Sequence, residues 1–174
     1  VWIAPFYEDS ITGLRDLHSG TYGGAALNAM HALVQALSGV MPRDGRVPEA
    51  LRTGVVAPAS EEVAGWSTLP AGEAELAAAG VSGAGAAAGR EFYLRTWAEP
   101  SVDVHGIVGG SPILQKTVIT AEAEANVSIR LVADQDPAVI APGVERLLRE
   151  AAPEGAAIEV ALLSSAPPGL VPTD

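Results

Sequence analysis

The amino-acid sequence predicts an α+β fold in which two helices cover one face of a four-stranded antiparallel sheet. The length of 174 residues fits a single domain. Residues 121–132 alternate strictly between apolar and polar side chains, as a half-buried strand does. Two segments with helical spacing of apolar residues separate the strand-like segments. The resulting order of strand, helix, strand, strand, helix, strand is typical of the split βαβ, or ferredoxin-like, arrangement.

The first elements are a strand, a glycine-rich loop and a helix. Residues 1–7 are predicted as a short strand and residues 13–24 as the loop. A helix is predicted over residues 25–38, with Gly39 ending it in the manner of a left-handed C-terminal cap. The apolar stripe of this helix is Met30, Leu33, Val34 and Leu37.

The next segment, residues 41–95, differs in composition from the rest, because it is acidic and rich in alanine and glycine. It shows little periodicity, and we predict a surface insertion within the domain. Residues 71–79 are the best candidate for a short helix there. A modest strand is predicted at residues 91–97.

Strand patterns return in the second half of the chain, at residues 101–108 and 121–132. Asp136 and Pro137 then supply the cap and first residue of a second helix, whose apolar stripe is Ile140, Val144, Leu147 and Leu148. A last strand is predicted at residues 156–163. Residues 164–174 are predicted to be a proline-rich linker leading back to a catalytic domain, which makes residues 1–163 the domain proper.

Charge and composition exclude several classes of function. The net charge of −11 argues against nucleic acid or an anionic membrane as a main partner. The absence of cysteine excludes disulfides, thiol catalysis and cysteine-bound zinc. No apolar run approaches the roughly 20 residues of a membrane span. Because the chain begins with Val1-Trp2-Ile3, we expect it to be part of a longer protein.

Simple catalytic motifs are missing. The chain has three histidines, none in an HExxH arrangement, so no complete metal site is expected in it. Ser19 follows His18 but lies in no GxSxG motif. The glycines at 20–24 precede a helix and could bind an anion, yet they lack the lysine and hydroxyl of a phosphate-binding loop.

Two polar groups remain as candidates for chemistry. In an extended segment Asp16 and His18 point the same way, so the carboxylate could fix the imidazole tautomer and make the ring a strong donor. The alternative is a solvated loop histidine. Arg130 and Thr117 could bind a carboxylate or an oxyanion. The alternative for Arg130 is an ion pair at an interface.

Four motifs in this order resemble the dimerisation, or lid, domain of the dinuclear-zinc exopeptidases of peptidase family M20. This family includes carnosinases, other cytosolic dipeptidases, glutamate carboxypeptidase and succinyl-diaminopimelate desuccinylase. The first motif is Asp16-Leu17-His18-Ser19-Gly20-Thr21-Tyr22-Gly23-Gly24 with Asn28. The others are Val104-His105-Gly106-Ile107 with Gly109-Gly110, Lys116-Thr117-Val118-Ile119, and Ser128-Ile129-Arg130-Leu131-Val132 followed by Asp134-Gln135-Asp136-Pro137.

The resemblance implies a cytoplasmic zinc-dependent metallopeptidase, dipeptidase-like, whose two zinc ions lie in a separate catalytic domain absent from this chain. It also implies a homodimer formed edge to edge by two lid domains, and a peptide or acyl-amino-acid substrate. By the same resemblance His18 donates a hydrogen bond to the oxyanion in the partner subunit's active site. Arg130 binds the substrate carboxylate, assisted by the hydroxyl of Thr117. The orienting role of Asp16 is our inference from the residues alone.

The chain departs from the family pattern at several positions. Thr120 and Ala133 stand where the family often has proline, and residues 111–115 replace a glycine-rich turn. Without the catalytic domain the chain is expected to be inactive as a peptidase. The alternative function is a non-catalytic module of the same fold that binds a small ligand or has a regulatory role.

Overall fold

The structure is a computed structural model that describes residues 2–5 and 15–169. The predicted strand at 1–7, the glycine-rich loop from 13 and the linker at 164–174 therefore lie partly outside the described residues. The strands are β1 (Trp2–Pro5), β2 (Leu17–His18), β3 (Ser101–Val108), β4 (Val118–Ile119), β5 (Ala123–Arg130) and β6 (Ala156–Glu159). The helices are α1 (Ser19–Tyr22), α2 (Ala29–Ser38), α3 (Ser60–Trp66), α4 (Gly72–Ala78), α5 (Phe92–Trp97) and α6 (Pro137–Ala151), with a 3₁₀ turn at Glu49–Leu51.

The chain divides into two compact units. The first contains the described residues up to Val40 together with 103–128 and 144–163. The second contains residues 41–102 and 129–143 and the described part of the C-terminal segment from Ser164. The segment predicted as a surface insertion thus contributes to a unit with buried residues of its own, among them Val47, Leu51 and Ala88.

Two sheets lie mainly in the first unit. The strands of the larger sheet lie in the order β3-β5-β1-β6, and β1 is antiparallel to both β5 and β6. The smaller sheet pairs β2 with β4, placing Leu17 opposite Ile119 and His18 opposite Val118. The predicted α+β class is confirmed. Strand β2 and helix α1 lie in the segment that the sequence predicted as a loop.

Helix α2 begins four residues later than predicted, because Asn28 caps it. The Asn28 Oδ1 accepts hydrogen bonds from the amides of Met30 and His31, at 2.9 and 3.3 Å. The buried face also differs from the predicted stripe, since Val34 is 56% exposed. The buried residues of the helix are Ala29, Ala32, Leu33, Ala36 and Leu37.

Gly39 does not adopt the left-handed conformation predicted for it, since its φ is −69°. Its role is close packing instead. A Cβ at this position would collide with the Leu147 carbonyl oxygen and lie 2.8 Å from the Ala151 Cβ. Glycine therefore lets the end of α2 approach the backbone of α6.

Helix α6 agrees with its prediction. Asp136 Oδ1 accepts a hydrogen bond from the Ala138 amide at 2.8 Å, which is the expected cap. Ile140 and Leu148 of the predicted stripe are buried. Pro142 is accommodated within the helix. The final strand, β6, is shorter than predicted and ends at Glu159.

The prediction of a strand at residues 91–97 is wrong, because this segment forms helix α5 in the second unit. Arg95 makes an i,i+4 ion pair with Glu91 at 2.8 Å, and it donates to the Ala84 carbonyl at 2.8 Å. Tyr93 and Trp97 pack with Trp66 of α3, with ring centroids 4.6–6.4 Å apart. The strand prediction reflected the aromatic content of the segment, whereas the helix is favoured by these pairings.

The second unit also contains a fully paired buried amide. The Gln135 side chain donates to the carbonyls of Leu51 and Thr53, at 3.0 and 3.1 Å, and accepts from the Val132 amide at 3.2 Å. Because a buried amide is costly unless its hydrogen bonds are made, this pattern fixes the turn that precedes α6.

Candidate functional site

The β2–α1 junction carries His18, and the backbone around it is held on both sides. On the C-terminal side, the Ser19 amide and hydroxyl both donate to the Thr117 carbonyl, at 2.9 and 3.0 Å. On the N-terminal side, Asp16 Oδ1 accepts from the Ala121 amide at 3.2 Å. The antiparallel pairing of β2 with β4 therefore brings the predicted residues Asp16, His18 and Thr117 together in the first unit.

The His18 side chain caps helix α1. Its Nδ1 accepts a hydrogen bond from the Gly20 amide at 3.1 Å, and its backbone is extended, with φ −72° and ψ 118°. The imidazole is exposed, so packing does not hold it in place. This hydrogen bond is therefore the contact that orients the ring.

In the described structure the His18 ring is hydrogen-bonded to Gly20, whereas the Asp16 carboxylate is bound elsewhere. The Asp16 carboxylate binds the Ala121 amide, and the Nδ1 that it was expected to contact is an acceptor for the Gly20 amide. The prediction assumed a fully extended segment, whereas the chain turns into a helix directly after His18. Asp16 instead holds the start of β2 through its hydrogen bond with the Ala121 amide.

Thr117 provides a backbone acceptor for the residue after His18 and an exposed side chain. Its carbonyl accepts both bonds from Ser19, while its side chain is exposed and makes no hydrogen bond with another described residue. The hydroxyl is thus accessible next to the strand that carries His18. The contacts of Ser19 and Ala121 were not predicted, because hydrogen bonds made by backbone amides leave no pattern in the sequence.

Arg130 is the last residue of β5 and belongs to the second unit. Its side chain is exposed, and none of the described residues forms a hydrogen bond or ion pair with its guanidinium.

His105 and Ser128, from two of the resemblance motifs, meet across β3 and β5. Their Nε2 and Oγ atoms lie 2.6 Å apart. Directly after the end of β3, a Cβ on Gly109 would lie 2.7 Å from the Met30 Cε and 3.0 Å from the Ala123 Cβ. These motif residues thus make their described contacts within the first unit.

The segment between β3 and β4 is apolar and exposed at its tip. Ile113 is 88% exposed, and Leu114 is also exposed. The turn is ordered by Ser111, whose hydroxyl accepts from the amides of both, at 3.3 and 3.1 Å. Here the chain departs from the glycine-rich turn of the family pattern.

No metal site is formed by the part of the chain that the structure describes: it contains no group of three or more His, Cys, Asp or Glu side chains that could hold an ion. Within the same residues no helix has the length and apolar character needed to cross a membrane.

Comparison with known proteins identifies the family. The model of the peptidase dimerisation domain of M20 peptidases matches residues 11–156, which is most of the chain. The chain belongs to this family, as the motifs predicted. It is 33% identical to the Cys-Gly metallodipeptidase DUG1 of Saccharomyces cerevisiae over 135 residues, which are 75% of this chain and 28% of that protein.

Two further relatives are dipeptidases. The chain is 30% identical to the cysteinylglycine-S-conjugate dipeptidase of Corynebacterium striatum over 158 residues, or 90% of this chain and 33% of that enzyme. The crystal structure of human carnosine dipeptidase 1 superposes with a TM-score of 0.71 at 25% identity, covering 86% of this chain and 31% of that one. The chain thus spans about a third of the length of the relatives that it matches.

Proposed function

We propose that this chain is the pairing and substrate-binding domain of a dipeptidase-like metallopeptidase, and that it works together with a catalytic domain in a longer homodimeric protein. The observation that carries the proposal is the match of residues 11–156 to the peptidase dimerisation domain, combined with similarity to enzymes named as dipeptidases. The described sheet order β3-β5-β1-β6 is consistent with the ferredoxin-like arrangement that we infer for it. The same match favours this function over a small-ligand or regulatory module.

His18 supplies the oxyanion donor in this proposal. When a water attacks a peptide carbonyl, negative charge develops on its oxygen, and a fixed N–H donor stabilises that charge. His18 is exposed, lies on a backbone held from both sides, and uses only Nδ1 within the described structure. The ring can therefore reach a group outside this chain, which we infer to be the active site of the partner subunit.

Arg130 binds the substrate carboxylate in this proposal, and the Thr117 hydroxyl is a separate candidate donor to the substrate. A guanidinium can hold a carboxylate through two parallel hydrogen bonds. Both side chains are exposed, and neither is paired with another described residue. The metal that the metallodipeptidase relatives imply would be held by residues outside the described part of this chain; once bound, it would activate the attacking water.

A mixed dimer tests the contribution in trans. One protomer carries His18→Ala with an intact catalytic domain, and the other carries native His18 with an inactivated catalytic domain. Each parental homodimer is expected to be inactive, whereas co-expression should restore activity, because one native metal site then meets one native His18. Inactivity of a mixed dimer with correct mass and folding would contradict the proposal.

The carboxylate role of Arg130 has its own test. Arg130→Ala should chiefly raise KM for dipeptides with a C-terminal carboxylate, with a much smaller effect on the corresponding amides. Arg146→Ala, which removes an exposed arginine from α6, is the matched control and should leave both KM values unchanged. An unchanged KM for the carboxylate substrate in Arg130→Ala would remove this role.

A further inference from the structure

The bond between His18 and Gly20 determines more than the direction of the imidazole ring. A neutral imidazole has one protonated nitrogen, which donates, and one unprotonated nitrogen, which accepts. The Gly20 amide is a donor 3.1 Å from Nδ1, so Nδ1 must be the unprotonated nitrogen. The proton of the neutral ring is then on Nε2.

We infer that the Gly20 amide is the positioning group that selects the Nε2–H tautomer of His18, and thereby makes this ring a hydrogen-bond donor at its outer nitrogen. This inference rests on the proposed function, because the donor matters only if His18 meets an oxyanion. Gly20 itself contacts the ring and not the substrate.

The arrangement is the opposite of the one that a carboxylate partner would produce. A carboxylate only accepts, so an Asp16–His18 pair would place the proton of a neutral ring on Nδ1 and leave Nε2 as an acceptor. A neutral ring in that state would repel an oxyanion. Asp16 is instead bound to the Ala121 amide, which leaves the backbone donor as the partner of the ring.

Glycine at position 20 is needed for the close approach of the ring. A Cβ there would lie 2.8 Å from Cε1 and 3.1 Å from Nδ1 of His18. Gly20 is not among the residues with positive φ, so the requirement concerns space and not backbone conformation. Because the imidazole is exposed and its position is set by this bond, a methyl group would move the ring and not the backbone.

The tautomer can be measured directly in the full-length protein by ¹⁵N NMR of labelled histidine, with His18→Asn identifying the His18 resonances. At a pH where the ring is neutral, we expect His18 Nδ1 to show the shift of an unprotonated nitrogen and Nε2 that of a protonated one. A protonated Nδ1 in the neutral ring would overturn the inference. This measurement does not depend on activity, so it stands even if the catalytic role of His18 fails.

A substitution tests the link to catalysis. Gly20→Ala should abolish the tautomer preference. It should also lower kcat by about tenfold or more, which is less than the ~10²–10³-fold loss expected when a whole oxyanion donor is removed. KM should be nearly unchanged. Gly65→Ala is the matched control, because nothing lies within 4 Å of its Cβ position. Native kcat and native tautomer in Gly20→Ala would overturn the positioning role. Native kcat in His18→Ala would instead overturn the proposed function.

Discussion

At the scale of single residues, His18 has two separable functions, as a helix cap and as a donor. Its Nδ1 satisfies an amide of α1, while Nε2 is directed away from that bond. Asparagine can replace the first function, because its side-chain oxygen is a strong N-cap acceptor, but it does not place an imidazole N–H at the same distance.

We therefore expect His18→Asn and His18→Ala to differ in stability but not in activity. His18→Ala should lower the free energy of unfolding by up to about 1 kcal/mol through loss of the cap, and His18→Asn should preserve it. Both should lower kcat by ~10²–10³. Chemical denaturation and steady-state kinetics of the two variants provide the measurement; equal activity of His18→Asn and the native enzyme would contradict the donor role.

Thr120 has a buried hydroxyl group for which the described residues provide no hydrogen-bond partner. It is 8% exposed, and its hydroxyl makes no hydrogen bond with any described residue. Its backbone carbonyl, in contrast, accepts from the Ala29 amide at 3.2 Å. A buried hydroxyl without a partner costs free energy that an isosteric methyl group does not.

Thr120→Val should therefore raise the free energy of unfolding by about 1 kcal/mol. Thr120→Ser is the matched comparison, because it keeps the hydroxyl and removes the methyl group, and it should lower stability. Urea denaturation of the three proteins distinguishes the two effects. A valine variant less stable than the native protein would indicate a partner for the hydroxyl.

At the scale of elements, helix α5 depends on a charge pair between successive turns. The Arg95 guanidinium donates to the Glu91 carboxylate and lowers the pKa of that group below its ordinary value of 4.5. Because the lowered pKa belongs to the folded state, the pair contributes stability fully above pH 4.5. That contribution is lost as the pH falls through the lower folded value.

Glu91→Gln removes this contribution, so the free energy of unfolding should depend less on pH in the acid range. We expect the variant to be less stable than the native protein at pH 7, with the difference narrowing as the pH falls below 4.5. Glu145→Gln, which removes the exposed partner of Arg149 in α6, is a suitable comparison. A difference that stays constant down to pH 3 would show that the lost stability has another cause.

The elements differ in how far the sequence could predict them, for physical reasons. Strand β5 and helix α6 have clear periods of two and 3.6 residues, and both were predicted. Helix α5 was missed because its aromatic residues favour a strand locally, and contacts with Trp66 of α3 are invisible in the sequence. His18 and Thr117 were predicted as site residues from the family motifs and Asp16 from the residues alone, whereas the contacts of Gly20 and Ala121 depend on backbone amides that no residue type reveals.

At the scale of the whole molecule, the larger sheet has two edges, β3 and β6. An edge strand presents backbone donors and acceptors that another strand can pair with. Strand β3 ends in Ile107 and Val108, which are 48% and 63% exposed although apolar. This edge is therefore our candidate for pairing between two copies of the chain.

Light scattering of the chain should give twice 17.7 kDa. The double variant Ile107→Lys/Val108→Lys should lower the mass to that of one chain, since charges on an edge oppose pairing. Val56→Lys, at an apolar residue of similar exposure in the second unit, should leave the mass unchanged. A double variant that remains a dimer would exclude β3 as the pairing edge.

The hydrogen bonds that hold the backbone of His18 also have a consequence for the order of folding. They join positions 98 and 105 residues apart in the chain. Closing so long a loop costs conformational entropy before any of these bonds forms, so such contacts form slowly. During synthesis the strand that carries His18 cannot form these bonds until residues 117–121 have left the ribosome. His18 thus cannot reach its native surroundings before that point in synthesis.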